Sequence, residues 1–314
     1  MWLIKSEEDT NPAYGKKPEE RTIEELIKSC VIIVDKHAGP TSHQVTAWIK
    51  EIFGVKKAGH AGTLDPAVTG VLPVALENAT KVMPVLMGLE KEYVGVMHLH
   101  KEVDENLLRQ TVLKFVGKIV QIPPVKSAVA RRPREREIKF FDILEIEGKD
   151  VLFRIGCEAG TYVRKVTHDI GQKLGVGAHM TELRRIRAGN FTEDQSHSLV
   201  EIKDAYEFWK EGKEEFLRKI LIPVEHAILH VKKIFVKDSA IDSICHGSPV
   251  FVSGITRIQK GIERGETVAI FSLKEELVAL GIAKMSSEEM YEKKRGLAVR
   301  TDRVLMEIGT YPKI

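Results

Sequence analysis

Residues 59–70 read Gly-His-Ala-Gly-Thr-Leu-Asp-Pro-Ala-Val-Thr-Gly, and the apolar stretch Val71 to Leu76 follows at once. Glycines at 59, 62 and 70 permit backbone conformations and close approaches that other residues forbid. Pro66 fixes its own φ and biases Asp65 towards extended backbone. The segment therefore predicts a loop that runs into a strand and holds a carboxylate at the edge of a sheet, where it can act as nucleophile or base. On these residues alone two other readings stay open. Asp65 could simply cap a turn, or the glycines could cradle a phosphate, although the GK[ST] ending of such loops is missing. His60, taken singly, reads as a structural histidine.

Working upstream, Val31-Ile32-Ile33-Val34 is a β-branched run that predicts a buried strand ending at Asp35-Lys36. A turn at Gly39-Pro40 follows, and Thr41 with Gln44 offers a capping box. Val45, Trp48, Ile49, Ile52 and Phe53 then fall on one helical face, with Gly54 as the stop. Thr22 and Glu25 offer a second capping box before a short helix. Downstream, a strand is expected around Tyr93 and a helix from Glu105 to Phe115. A hairpin is expected between Ile143–Ile146 and Val151–Ile155, then a helix through Val163, Val166, Ile170 and Leu174. Hairpins mixed with helices favour an α+β domain over a doubly wound parallel sheet. Beyond Pro223 the pattern changes to short β-rich runs split by glycines, as in a small barrel or sandwich.

The chain's 314 residues suit two domains. No stretch approaches the ~18–20 apolar residues of a membrane span. The start, MWLIKSEEDTNP, lacks the apolar core and small-residue cleavage site of a signal peptide. Cys30, Cys157 and Cys245 lie far apart, which argues against a disulfide scaffold or a cysteine zinc site and makes a reducing cytosol the default. The formal net charge is only +3, yet it is uneven. Lys126, Arg131, Arg132, Arg134, Arg136 and Lys139 stand against Glu135 and Glu137, so this segment alone is +4 and the rest about −1. A single basic patch on a nearly neutral body points to a polyanion partner. Asn and Gln total ten residues while Lys, Arg and Glu abound, which leans towards a heat-adapted source.

The string GHAGTLDPAVTGVLPVALENATK resembles the signature of the TruB-type pseudouridine synthases, with Asp65 at the catalytic aspartate. VDKHAGPTSHQV at 34–45, LEKEYVGVMHL at 89–99 and GTYVRKVTHDIGQKLGVGAHMTELRRIRAGNF at 160–191 match the family's other motifs in order and spacing. Within the family the chain is most similar to the dyskerin-like catalytic subunit of the archaeal box H/ACA guide-RNA particle. IPPVKSAVARRPREREI resembles that subgroup's RNA-contacting thumb loop, and the region from His230 resembles its PUA domain. The chain departs from the family pattern at His37, Gln44 and Pro133. It ends without the lysine-rich tail of eukaryotic relatives, which points to an archaeal source.

The resemblance implies a pseudouridine synthase fold with a mixed, largely antiparallel sheet, plus a small β-barrel-like PUA domain. It divides the chain into an arm at 1–21 that docks on the PUA domain, a catalytic domain at 22–228 and the PUA domain at 229–314. The implied reaction isomerises uridine to pseudouridine in rRNA under a guide RNA, with uridine 55 of tRNA as a further target. The alternatives are a stand-alone tRNA synthase and a non-catalytic RNA scaffold. Asp65, Tyr93 and Arg164 are the implied catalytic set, with Asp65 partly buried and bridged in bidentate fashion by Arg164. His60, Leu183 and Tyr162 line the substrate, while Lys126, Arg131, Arg132 and Arg134 grip RNA. No atoms enter or leave in an isomerisation, so neither cofactor nor metal is required. Implied partners are guide and substrate RNA and three small accessory proteins of zinc-ribbon, glycine-arginine-rich-type core and kink-turn-binding types, in the cytoplasm of an archaeal cell.

Overall fold

The computed structural model describes residues 1–123 and 132–313. One sheet takes strands β2 (Cys30–Lys36), β3 (Ala58–His60), β4 (Thr69–Leu76), β5 (Lys91–Leu99) and β6 (Gly117–Gln121). It also takes β7 (Arg134–Glu147), β8 (Asp150–Cys157), β9 (Ala178–Ala188), β10 (Phe191–Thr192) and β11 (Ile222–Pro223). Its main order is β11-β2-β4-β9-β5-β8-β7-β6, with β3 on β4 and β10 on β9. The pairing is antiparallel except between β4 and β9, so the sheet is mixed and largely antiparallel.

The run Val31–Val34 is uninterrupted because β2 is covered on both faces. Ile32 and Val34 pack into one cluster, with Leu72, Val74 and Leu76 of β4. Val31 and Ile33 point the other way, with Val71 and Ala75, into a second cluster. The helix Ser42–Phe53 lies on the first face. Thr41 and Gln44 close its capping box, and Gly54 ends it in the left-handed region at φ 61°. Val45, Ile49 and Phe53 are buried, whereas Trp48 is 41% exposed, so the apolar stripe is narrower than the sequence suggests.

The hairpin forms around the turn at 148–149, but β7 reaches back to Arg134. The end of the segment expected as a basic loop, from Arg134 to Ile138, is thus strand, held by β6 through pairs from Gly117↔Ile138 to Gln121↔Arg134. Its two glutamates are taken up in ion pairs, Glu135 with Lys118 of β6 at 2.9 Å and Glu137 with Lys139 at 2.7 Å.

A second sheet, ordered β1-β14-β12-β15-β16-β17-β13, contains β1 (Trp2–Ile4), β12 (Lys233–Val236), β13 (Val250–Phe251), β14 (Ile255–Gln259), β15 (Thr267–Phe271), β16 (Leu277–Ala283) and β17 (Leu297–Val304). The N-terminal segment supplies β1, antiparallel to β14. Lys274 Nζ donates to the carbonyls of Pro12, Tyr14 and Gly15, and Glu276 accepts from the Lys16 amide. Strands of this sheet are also two-faced. Val268 and Ile270 face its own core, while Ala269 and Phe271 join the cluster that holds Val31 and Ile33.

Candidate active site

Asp65 sits where β3 hands over to β4, and that connection is pinned from beneath. Lys36 is fully buried at the end of β2, and its Nζ donates to the carbonyls of His37 (2.9 Å), Pro66 (3.0 Å) and Val68 (2.8 Å). Ser42 Oγ donates to the Leu64 carbonyl and accepts from the Leu64 amide. The Gly39 amide donates to the Pro66 carbonyl, and Arg185 Nη2 to the Gly62 carbonyl at 3.1 Å. The loop is therefore a rigid platform for its one carboxylate.

Arg164 projects from the first turn of the helix Val163–Lys173 and places Nη2 2.5 Å from Asp65 Oδ2. Both side chains are about half exposed, at 58% and 51%. The expected partial burial and bidentate bridge are therefore corrected to an open pair with a single contact, because the loop crest stands clear of the sheet. An exposed pair adds little stability, so its consequence is where it aims the carboxylate.

Tyr93 on β5 and Leu183 on β9 are each 9% exposed and lie on the same sheet face. Gly95 makes room for Leu183, since a Cβ there would lie 2.8 Å from the leucine Cδ1. Asp65 lies close enough to Tyr93 for its charge to act on the phenol. Burial pushes the Tyr93 phenol above its ordinary range, and the Arg185 guanidinium opposes that rise by charge and by hydrogen bonding. His60 ends β3, meets His43 edge-to-face at 4.9 Å, and keeps a buried Nδ1 without a hydrogen-bond partner. Burial, then His43 and Arg185, lower its basicity, which favours the neutral ring. Tyr162 caps the Arg164 helix and is fixed through its backbone, its amide donating to Gln121 Oε1 and its carbonyl accepting from Gln121 Nε2.

Asp65 and Arg164 thus meet, the Asp65 charge reaches Tyr93, and Leu183 shares the face of the sheet on which Tyr93 lies. Of the basic residues, Arg132 is exposed and Arg134 opens β7 opposite Gln121. Lys126 and Arg131 lie outside the described residues. Sequence reasoning did not single out Lys36, Ser42 and Arg185. The one available signal was their position inside the motifs, since buried cations have no periodicity. Among the described residues, no group of three or more His, Cys, Asp or Glu is arranged to hold a metal, and no helix is long and apolar enough to cross a membrane. A positioned carboxylate on a loop and a buried phenol on a central strand suit nucleophilic attack and proton transfer.

Residues 50–163 match the TruB family pseudouridylate synthase N-terminal domain, and 164–229 the tRNA pseudouridylate synthase B C-terminal domain. Residues 232–305 match the PUA domain and 1–46 the DKCLD domain. A probable tRNA pseudouridine synthase B of Methanopyrus kandleri is 57% identical, covering 99% of this chain and 92% of that protein. Its namesake in Pyrococcus furiosus is 53% identical, covering 99% and 93%. Among solved structures, a chain of an H/ACA RNP bound to a substrate RNA containing 2'-deoxyuridine superposes with a TM-score of 0.93 at 51% identity, covering 100% of this chain and 96% of that one. A chain of a Cbf5-Nop10-Gar1 complex gives 0.94 at 52%, with the same coverage.

Proposed function

The chain belongs to the TruB family of pseudouridylate synthases, and from that premise we propose that it is the RNA-guided catalytic subunit of a box H/ACA particle, isomerising uridine to pseudouridine in rRNA. The observation that carries this is the Asp65–Arg164 pair at 2.5 Å on a loop clamped by Lys36 and Ser42, within electrostatic reach of Tyr93. Such a set has no use in a scaffold that only binds RNA.

In the reaction the N1–C1′ bond of uridine breaks, the base turns, and C5 joins C1′. Asp65 attacks the ribose or the ring, or takes a sugar proton, and Arg164 aims it. Tyr93 lies against the base and receives the C5 proton, and Leu183 and Tyr162 wall the base. His60 helps hold the displaced nucleotide. Extruding a stacked uridine costs a few kcal/mol, less when the guide leaves it unpaired. Lys126, Arg131, Arg132 and Arg134 hold phosphates, an affinity that weakens steeply with salt. The units are an arm at 1–21, a catalytic domain at 22–228 and a PUA domain at 229–314 that anchors the guide by shape and base contacts. The partners are guide RNA, substrate RNA and small accessory proteins of the kinds co-assembled with the similar solved chains, and the compartment is the cytoplasm.

Mapping pseudouridine in an rRNA fragment and a tRNA, with and without guide, tests this. Wild-type protein is expected to modify the guided uridine, and Asp65→Asn to form none while still binding RNA. Wild-type turnover by Asp65→Asn would sink the assignment. The names of the curated relatives favour a second activity on tRNA, expected at uridine 55 and read as product in the guide-free tRNA arm.

A further inference from the structure

Beneath the Asp65 loop lies a cation whose full charge is more than bracing the Gly62 carbonyl requires. Arg185 on β9 is 1% exposed and among the largest fully buried side chains. Its Nε donates to the Val71 carbonyl at 2.7 Å and its Nη2 to the Gly62 carbonyl at 3.1 Å. Among the described residues no carboxylate pairs with it. A guanidinium taken out of water without an anion is costly, and two carbonyls offset only part of that cost. The third group beside it is Tyr93, its direct partner across the β5–β9 pair, whose phenolate form the guanidinium charge favours.

The backbone places it there on purpose-built geometry. β5 and β9 pair Glu92 with Arg187 but Tyr93 with Arg185, so Ile186 is an extra residue and the register shifts at that point. A bulge re-aims side chains. Without it Tyr93 would oppose Ile186, and the guanidinium would fall on the other face. On the far side β4 comes so close that a Cβ on Gly70 would stand 2.2 Å from the Arg185 carbonyl oxygen. The same strand junction therefore fixes Arg185, the Asp65 loop and the phenol together.

We infer that Arg185 is a positioning residue for the last proton transfer, its charge stabilising the phenolate form of Tyr93 that takes the C5 proton. In that step the C5–H bond breaks and its electron pair forms C5=C6, while the C6=N1 pair moves onto N1, which takes a proton from solvent; the C5 proton goes to the phenolate oxygen. The phenol later loses it to solvent. The inference rests on the synthase function proposed above. Burial opposes the phenolate, and the other groups acting on Tyr93 are Asp65 on the loop and Cys157 on β8, neither of which helps an anion form. Lys91, one turn of pleat away on β5, adds a second buried cation close to Arg185.

The test uses the assembled particle with a target uridine carrying hydrogen or deuterium at C5, under single-turnover conditions from about pH 6 to 9. Arg185→Gln is expected to slow product formation about tenfold or more near neutrality, the order of a weakened general base. Its rising pH limb should move to higher pH, and a C5 deuterium effect should grow as that step becomes limiting. Arg185→Lys keeps the charge without the fork and should fall between. Should Arg185→Gln fail to fold, the limb and the isotope effect are read in Arg185→Lys. Variants with the wild-type limb and isotope effect, merely slower or less stable, would reduce Arg185 to a structural strut and overturn the inference. An inactive wild-type particle would instead overturn the synthase function, and the inference with it.

Discussion

At the scale of single residues, the active site is a problem of paying for buried cations. Lys36, Lys91 and Arg185 are all at or below 5% exposure and answered by carbonyls. Lys91 shows the consequence most directly. Burial, then the charge of Arg185, push its ammonium down to about 8 from 10.5. Between those values the unfolded chain binds more protons than the folded one, so stability rises with pH across that window. The gain is on the order of 3 kcal/mol over the full interval. Urea unfolding at about pH 7.5 and pH 10 should therefore show wild-type protein gaining stability relative to Lys91→Met. Parallel behaviour of the two proteins would mean that the ammonium is not held down. Such residues are where the sequence is least legible. Asp65 stands out because glycines and a proline surround it, whereas a buried lysine looks like any surface lysine until the carbonyls that it serves are known.

At the scale of elements, legibility follows from how local the cause is. The helix Ser42–Phe53 is written in its own caps, Thr41, Gln44 and Gly54, and it forms as read. β7 is not, because its first half exists only by pairing with β6, a partner some seventeen residues earlier in the chain. The strand Ile255–Gln259 and the helix Asp238–Cys245 were missed in the same way, as short elements defined by their neighbours. Two glycines separate local from non-local cost. Gly54 has φ 61° with open space around it, so Gly54→Ala should cost about 1 kcal/mol of left-handed strain and leave activity intact. Gly70 has φ 100° and backbone of Arg185 against it, so Gly70→Ala must part β4 from β9. It should cost several times more and depress pseudouridine formation, because that junction carries the Asp65 loop and Arg185. Equal melting temperatures and equal rates for the two variants would contradict this ordering.

At the scale of the whole molecule, the two sheets share one apolar layer. Val31, Ile33 and Val71 of the first sheet and Phe235, Phe271, Leu277 and Leu280 of the second belong to one buried cluster. Across the same seam, Arg21 grips Glu225 through both carboxylate oxygens, at 2.8 and 3.1 Å, and Glu225 also accepts from the Leu277 amide. Deleting 230–314 would therefore strip one wall from β2 and β4. The change of pattern near Pro223 is real at the level of strand rhythm, but rhythm says nothing about which faces meet. Phe271 tests the seam. It is 1% exposed, meets the Phe235 ring at a tilt with centroids 5.7 Å apart, and faces the shared layer. Phe271→Ala should cost about 3–5 kcal/mol. If the layer couples the sheets, that cost appears in one calorimetric transition for the whole chain, and the tyrosine and tryptophan signals of the catalytic half melt with it. A catalytic half that kept its wild-type melting temperature beside an early-melting second sheet would show that the layer is in contact without being cooperative.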